Sequence, residues 1–259
     1  MSRRQTTIAA LIGLTLLLSM VSMAAGRVWA PFSAWTDHSD PRWAIIFELR
    51  LPRTILAIGV GAALGMSGAA MQGYTRNPLA DPGALGVSSM AALGAVLTLY
   101  LGAGAAEPWV IAGAAMIGAL IAVMLLLALS GQASSIVTFI LAGVILQTMA
   151  GAGVALALSL APNPWAVNEI INWLMGSLAD RSLGEVQMAL PLIAAGCVML
   201  MFIGRGLDAL TLGETGARSL GVNMTATRWT LAIGVALTAG ASVAVTGVIG
   251  FVGLIVPHL

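Results

Sequence analysis

The stretch GLDALTLGETGARSLGVNMTATR, Gly206–Arg228, is a polar island between two apolar runs. The run before it, Val186–Ile203, and the run after it, Trp229–Val248, carry no charged residue. Each is close to the length of about 20 apolar residues that crosses a bilayer core. The island holds Asp208, Glu214, Arg218 and Arg228. Between two membrane helices such a segment faces water and offers a surface that another protein can grip. Its residues parse as two short helices: Asp208 caps a turn ending at Gly213, and Gly221 terminates a second turn, Thr215–Leu220.

Composition sets the same frame for the whole chain. Of its 259 residues 59% are hydrophobic and 8% charged, against about 25% charged in soluble domains, and mean hydropathy is +0.99. The reading is an all-α, polytopic membrane helix bundle, one domain over residues 1–259, with Gly206–Arg228 as a loop inside it. Working outward from the island, eight spans are expected. They begin with Ile8–Ala25, a retained first span rather than a cleaved signal, and Leu51–Gly73, whose Gly61 and Gly65 have the spacing of close helix packing. Gly83–Leu101, Val110–Leu129, Ile136–Leu160, Val186–Ile203 and Trp229–Val248 follow, and Ile249–Leu259 begins an eighth. Between the first two lies a loop, Arg27–Arg50, and Ala161–Glu185 contains a surface helix. Arg3 and Arg4 hold the N-terminus in the cytoplasm, and six crossings then place the island inside. Arg27, Arg42, Arg50, Arg53 and Arg181 lie outside on this count and dilute the positive-inside pattern.

Several functions are excluded or disfavoured by residue type. The basic residues are eleven arginines and no lysine, so no P-loop lysine is available to reach nucleotide phosphates; if ATP drives this chain, a partner hydrolyses it. The arginines are scattered, leaving no footprint for nucleic acid. A single cysteine, Cys197, and two distant histidines, His38 and His258, predict neither a disulfide nor a metal site. All ten acids fall in loops or at span ends, so the intramembrane carboxylates of a proton-coupled carrier are lacking. Only neutral polar groups such as Gln72, Gln147, Ser242 and Thr246 lie within spans. No catalytic residues are predicted.

Arg50-Leu51-Pro52-Arg53 opens the second span with two arginines on one helical face. They either snorkel to headgroups or form a landing site for an acidic partner, where charge steers docking.

Five segments together resemble the FecCD family of ABC-importer permeases for ferric siderophores, haem and cobalamin. They are RLPRTILAIGVGAALGMSGAAMQGYTRNPLADPGALGVSS (Arg50–Ser89), LAGVILQ (Leu141–Gln147), NWLMGSL (Asn172–Leu178), LGETGARSLGV (Leu212–Val222) and GVIGFVGLIVPHL (Gly247–Leu259). The resemblance implies ten-span subunits with inverted repeats, paired as homodimers or with a paralogue around a two-fold translocation path. It implies two cytoplasmic ATPase subunits gripping the loop that contains Leu212, Gly213, Glu214, Ala217, Arg218, Leu220 and Gly221, which become coupling residues. Arg50 and Arg53 become the receptors for a periplasmic or lipid-anchored substrate-binding protein. Ser134, Ser135 and Thr138 fall at the cytoplasmic gate, and Trp173 at the outer vestibule. No cofactor is held directly; ATP acts through the partner, and the chain itself is not an enzyme. Family chains run two spans past the Pro257-His258 motif, so this chain is expected to carry eight of ten. The function implied is alternating-access import of an iron–siderophore, haem or cobalamin-type ligand across the bacterial inner membrane. The alternatives are an ATP-independent secondary transporter and a truncated remnant that does not transport.

Overall fold

In lipid every backbone amide must find its partner within its own segment, which leaves the helix as the economical fold for runs of Ala, Leu, Ile and Met. A computed structural model describes residues 2–26, 28–102, 108–131 and 135–259. Among these, six helical stretches are long and apolar enough to cross a membrane: Gln5–Ala24, Pro41–Thr75, Trp109–Ser130, Ile136–Ser159, Leu183–Phe202 and Met224–Thr246. The first belongs to α1 (Arg3–Ala24). The second joins α2 (Pro41–Ala44), a π turn over Ile45–Arg50, and α3 (Leu51–Thr75). Then come α4 (Val87–Tyr100), α5 (Pro108–Ser130), α6 (Ile136–Ser159), α7 (Pro164–Leu174) and α8 (Leu183–Phe202). The island folds as α9 (Gly204–Leu210) and α10 (Gly213–Ser219). Beyond it α11 (Met224–Val235) runs through a π turn into α12 (Ala241–Thr246), and α13 (Val252–Ile255) follows.

Three expectations change. The loop expected over Arg27–Arg50 is helical from Pro41 onward, because Asp40 caps α2 and Pro41 suits its first turn; the second span therefore begins ten residues earlier than Leu51. The third expected span has only the 14 residues of α4, about 21 Å of rise. It is shortened by the 3-10 turn Pro82–Leu85 and by Gly86, whose left-handed φ of 73° separates turn from helix. The expected cap at Asp208 is absent: this residue lies inside α9, and its backbone carbonyl receives the Thr211 hydroxyl at 2.7 Å.

The chain divides into two compact units. One holds residues up to Ile58 together with Leu178–Val186; the other holds Gly59–Ser177 and Gln187–Leu259. In the first, Ala30, Ala34 and Ile46 form a small core with Met23, Trp35 and Phe47 packed around it. The Ser22 and Thr54 hydroxyls meet at 3.0 Å and tie α1 to α3.

In the second unit α4 packs on α5 and α6, and α12 packs on α4 and α5. The Met224–Thr246 stretch is its interior, with every residue of Thr238–Thr246 buried. Its hydroxyls are satisfied locally: Thr238, Ser242 and Thr246 each donate to the carbonyl four residues back, and Ser67 meets Thr238 at 2.7 Å. That is how polar side chains are carried in a helix interior without cost to the bilayer. Of the glycines on α3, Gly68 makes the closest approach. A Cβ there would lie 1.8 Å from the Gly253 carbonyl oxygen, whereas Gly61 has nothing within 4 Å. The Gly68–Gly253 contact brings the Arg50–Ser89 and Gly247–Leu259 segments together, and the His258 imidazole meets the Pro78 carbonyl at 3.0 Å.

Candidate functional site

The island is built to stand as a rigid piece. In α10 the last turn closes on Gly221, at a left-handed φ of 83°. The Gly221 amide donates to Arg218 O at 2.9 Å and the Val222 amide to Ala217 O at 3.0 Å, the paired bonds of a glycine-terminated helix end. Gly213, also left-handed at 86°, turns the chain between α9 and α10. Leu210 and Ala217 are fully buried and anchor the two helices, while Leu212 and Leu220 are 69% and 64% exposed. Exposed leucines on a polar element, beside the exposed Arg218, are the composition of a docking surface. Grooves flank α9 on both sides. One of about 530 Å³ is lined by Phe202, Arg205, Leu220, Asn223 and Thr227; another of about 540 Å³ is lined by Gln72, Arg76, Leu207, Asp208 and Thr211.

Two polar links fasten this piece to the neighbouring helices. Glu214 Oε1 accepts the Ile136 amide, the first of α6, at 2.9 Å. Its other oxygen lies 3.7 Å from Arg218 Nη2. Arg228, expected in the solvated island, is instead buried in α11 at 3% exposure. Its Nε donates to the Tyr74 hydroxyl at 3.1 Å and its Nη1 approaches Gly131 O at 3.4 Å. The guanidinium also lies 5.7 Å from the Phe139 ring centroid, a cation–π distance. Arg228 thus joins α3, the end of α5, α6 and α11. Its neighbours in space are 154 and 97 residues away, a separation that no local pattern in the sequence signals.

The other predicted residues fall in different places. Ser135 and Thr138 lie exposed in the first turn of α6, where Ser135 Oγ accepts the Thr138 amide at 3.3 Å. They are therefore adjacent to Glu214 through Ile136. Ser134 lies outside the described residues. Trp173 packs at the far end of α6, near Val96, Leu99 and Ala157; its carbonyl abuts Gly247, another left-handed glycine. The residues expected at the gate and at the vestibule are thus separated by the 24 residues of α6, about 36 Å. In the first unit, Arg50 and Arg53 share a helical face but not a role. The Arg50 guanidinium donates to the carbonyls of Met23 (2.8 Å) and Ala24 (2.9 Å) at the end of α1 and to that of Val28 in the segment beyond it. Arg53 is exposed and has no partner among the described residues. Among the described residues no group of three His, Cys, Asp or Glu side chains is placed to hold a metal ion.

Residues 10–259 match the FecCD transport family. The chain belongs to that family. A Bacillus subtilis (strain 168) relative, the uncharacterized ABC transporter permease protein YvrB, is 41% identical over 235 residues, 88% of this chain and 66% of the relative. The vitamin B12 import system permease protein BtuC of Vibrio cholerae is 38% identical over 252 residues, 96% of this chain and 74% of the relative. Among solved structures, a metal-chelate type ABC transporter in an inward-facing conformation superposes with a TM-score of 0.88 at 29% identity. That match covers 98% of this chain and 80% of the other. The FecCD chain accordingly spans about two thirds to four fifths of the proteins it matches.

Proposed function

We propose that this FecCD chain is the membrane-spanning permease subunit of an ABC importer, working by alternating access with ATP hydrolysed by partner subunits. The observation that carries the reading is the α9–α10 island: a closed, anchored pair of short helices that presents Leu212, Leu220 and Arg218 outward and holds α6 through Glu214. The residues Leu212, Gly213, Glu214, Ala217, Arg218, Leu220 and Gly221 form the grip for the ATPase. Ser135 and Thr138 border the gate on the same side, and Trp173 borders the vestibule at the other. Arg53 supplies accessible positive charge for a binding protein, and Arg50 supports the helix that carries it. A second copy or a paralogue completes the path, the membrane is the bacterial inner membrane, and the N-terminus and island face the cytoplasm.

The cargo is a metal-bearing organic chelate. The BtuC relative is a vitamin B12 permease and the solved neighbour a metal-chelate transporter, so a corrinoid stands beside an iron–siderophore or haem. The test is co-purification. The partner ATPase binds the wild-type permease, and the pair Leu212→Asp, Leu220→Asp reduces its recovery at least tenfold with permease yield unchanged. Full recovery with the double variant rejects the island as the grip.

A further inference from the structure

We propose that Glu214 is a positioning residue that holds the first turn of α6 and carries the movement of α10 into it. This rests on the island being the ATPase grip. A helix begins with four amides that lack intrahelical acceptors. Ser135, arriving extended at ψ 164°, satisfies the Thr138 amide with its hydroxyl, and its own carbonyl accepts the Phe139 amide. The Ile136 amide is supplied from outside, by a carboxylate 78 residues away on a different helix. Ionised acceptors form the stronger class of hydrogen bond, and negative charge at this position also complements the helix dipole.

The second carboxylate oxygen faces Arg218 on the exposed side of α10. One carboxylate therefore stands between a buried amide of α6 and a surface cation at the grip. Because Ala217 is fully buried and the helix end is closed at Gly221, α10 moves as one piece. Pressure on Leu212, Leu220 and Arg218 reaches Ile136 through the Glu214 carboxylate. The residues that follow Ile136, Val137 and Thr138, are exposed, so a shift of this turn changes the surface that α6 presents.

The link has a donor that can be deleted without altering the acceptor. Proline is tolerated at the first helical position, as Pro164 is in α7, and Ser135 already has the extended backbone that precedes proline. Ile136→Pro therefore removes the N–H and leaves the helix start intact. Glu214→Ala removes the acceptor, and Glu214→Gln keeps an oxygen able to accept. The full permease is assembled with its ATPase in lipid nanodiscs. Amide exchange over residues 136–139 is then followed with and without ATP and vanadate.

Glu214→Ala is expected to speed exchange there about tenfold and to abolish its response to nucleotide, and in Ile136→Pro, which lies outside the grip, the ATPase stays bound and hydrolyses ATP. Glu214→Gln stays within about twofold of wild type. Ile136→Pro loses the nucleotide response at 137–139, and the double variant is no worse than either single one. Unchanged exchange and response in Glu214→Ala, or equal damage from Glu214→Gln, overturns the link. Failure of the wild-type permease to retain its ATPase overturns the grip beneath it, and exchange in the isolated chain distinguishes the two.

Discussion

At the scale of single residues, two arginines one helical turn apart do different things. Arg50 ties the last carbonyls of α1, groups that the helix leaves without donors. Hydrogen bonds from a charged group contribute about 1.5–3 kcal/mol each when removal leaves a partner unsatisfied, less where water replaces it. Arg50→Ala is expected to lower the thermal unfolding midpoint of the detergent-solubilised protein by several degrees. Arg53→Glu should leave that midpoint within about one degree, yet weaken binding of the substrate-binding protein at low salt, where exposed charges are least screened. An unmoved midpoint in Arg50→Ala would show that the Ala30 amide, which also reaches the Ala24 carbonyl at 3.1 Å, and water satisfy this helix end without the guanidinium.

Asp40 makes a pH prediction at the same scale. The Arg42 guanidinium beside it, with help from the Arg42 amide, holds its carboxyl down to about 2 from an ordinary 3.8. A carboxyl depressed in the folded state supports folding above its unfolded pKa, and that support fades as pH falls through the folded one. The cap on α2 should thus be intact down to about pH 4 and be lost between there and about pH 2. Carboxyl chemical shifts of Asp40 track it; a midpoint near 3.8 would mean that Arg42 is not engaged.

Among elements, the decisive contact is between α3 and the segment ending in α13. A Cβ at Gly68 would overlap the Gly253 carbonyl at 1.8 Å, and backbone rather than a flexible side chain is what it meets. Gly68→Ala should cost about 1–3 kcal/mol, the range for overpacking, and displace the His258–Pro78 contact. Gly61→Ala, seven residues earlier and open to space, should be neutral or stabilising by up to about 1 kcal/mol from helix propensity. Refolding yield of the two variants separates them. Sequence spacing had paired Gly61 with Gly65; only the packed helices show that the closest approach is at Gly68.

For the whole molecule, the main rival to an ATP-driven importer is a carrier that works alone. The polar side chains in the interior helix return their hydrogen bonds to their own backbone, and the charged group buried there, Arg228, is engaged with Tyr74 and Gly131. Proteoliposomes holding only this permease should take up cyanocobalamin or ferric hydroxamate no faster than empty ones, with or without a proton gradient. Uptake at ten times the empty rate would establish the rival. With the ATPase and binding protein added, ATP-dependent uptake of one of these probes is the expected gain.

Much of this was legible from residue order. Hydropathy gave the long helices because lipid compels local backbone pairing, and Gly221 marked the close of α10 because few other residues adopt its left-handed backbone. Composition alone denied the chain a nucleotide-binding lysine. What the tertiary structure decided was who faces whom across 22 to 154 residues. Glu214 reached the start of α6, Arg228 withdrew from the island into the core, and Arg50 turned from the surface to the end of α1. Such pairings have no period and no spacing, since they depend on which helices the fold brings side by side.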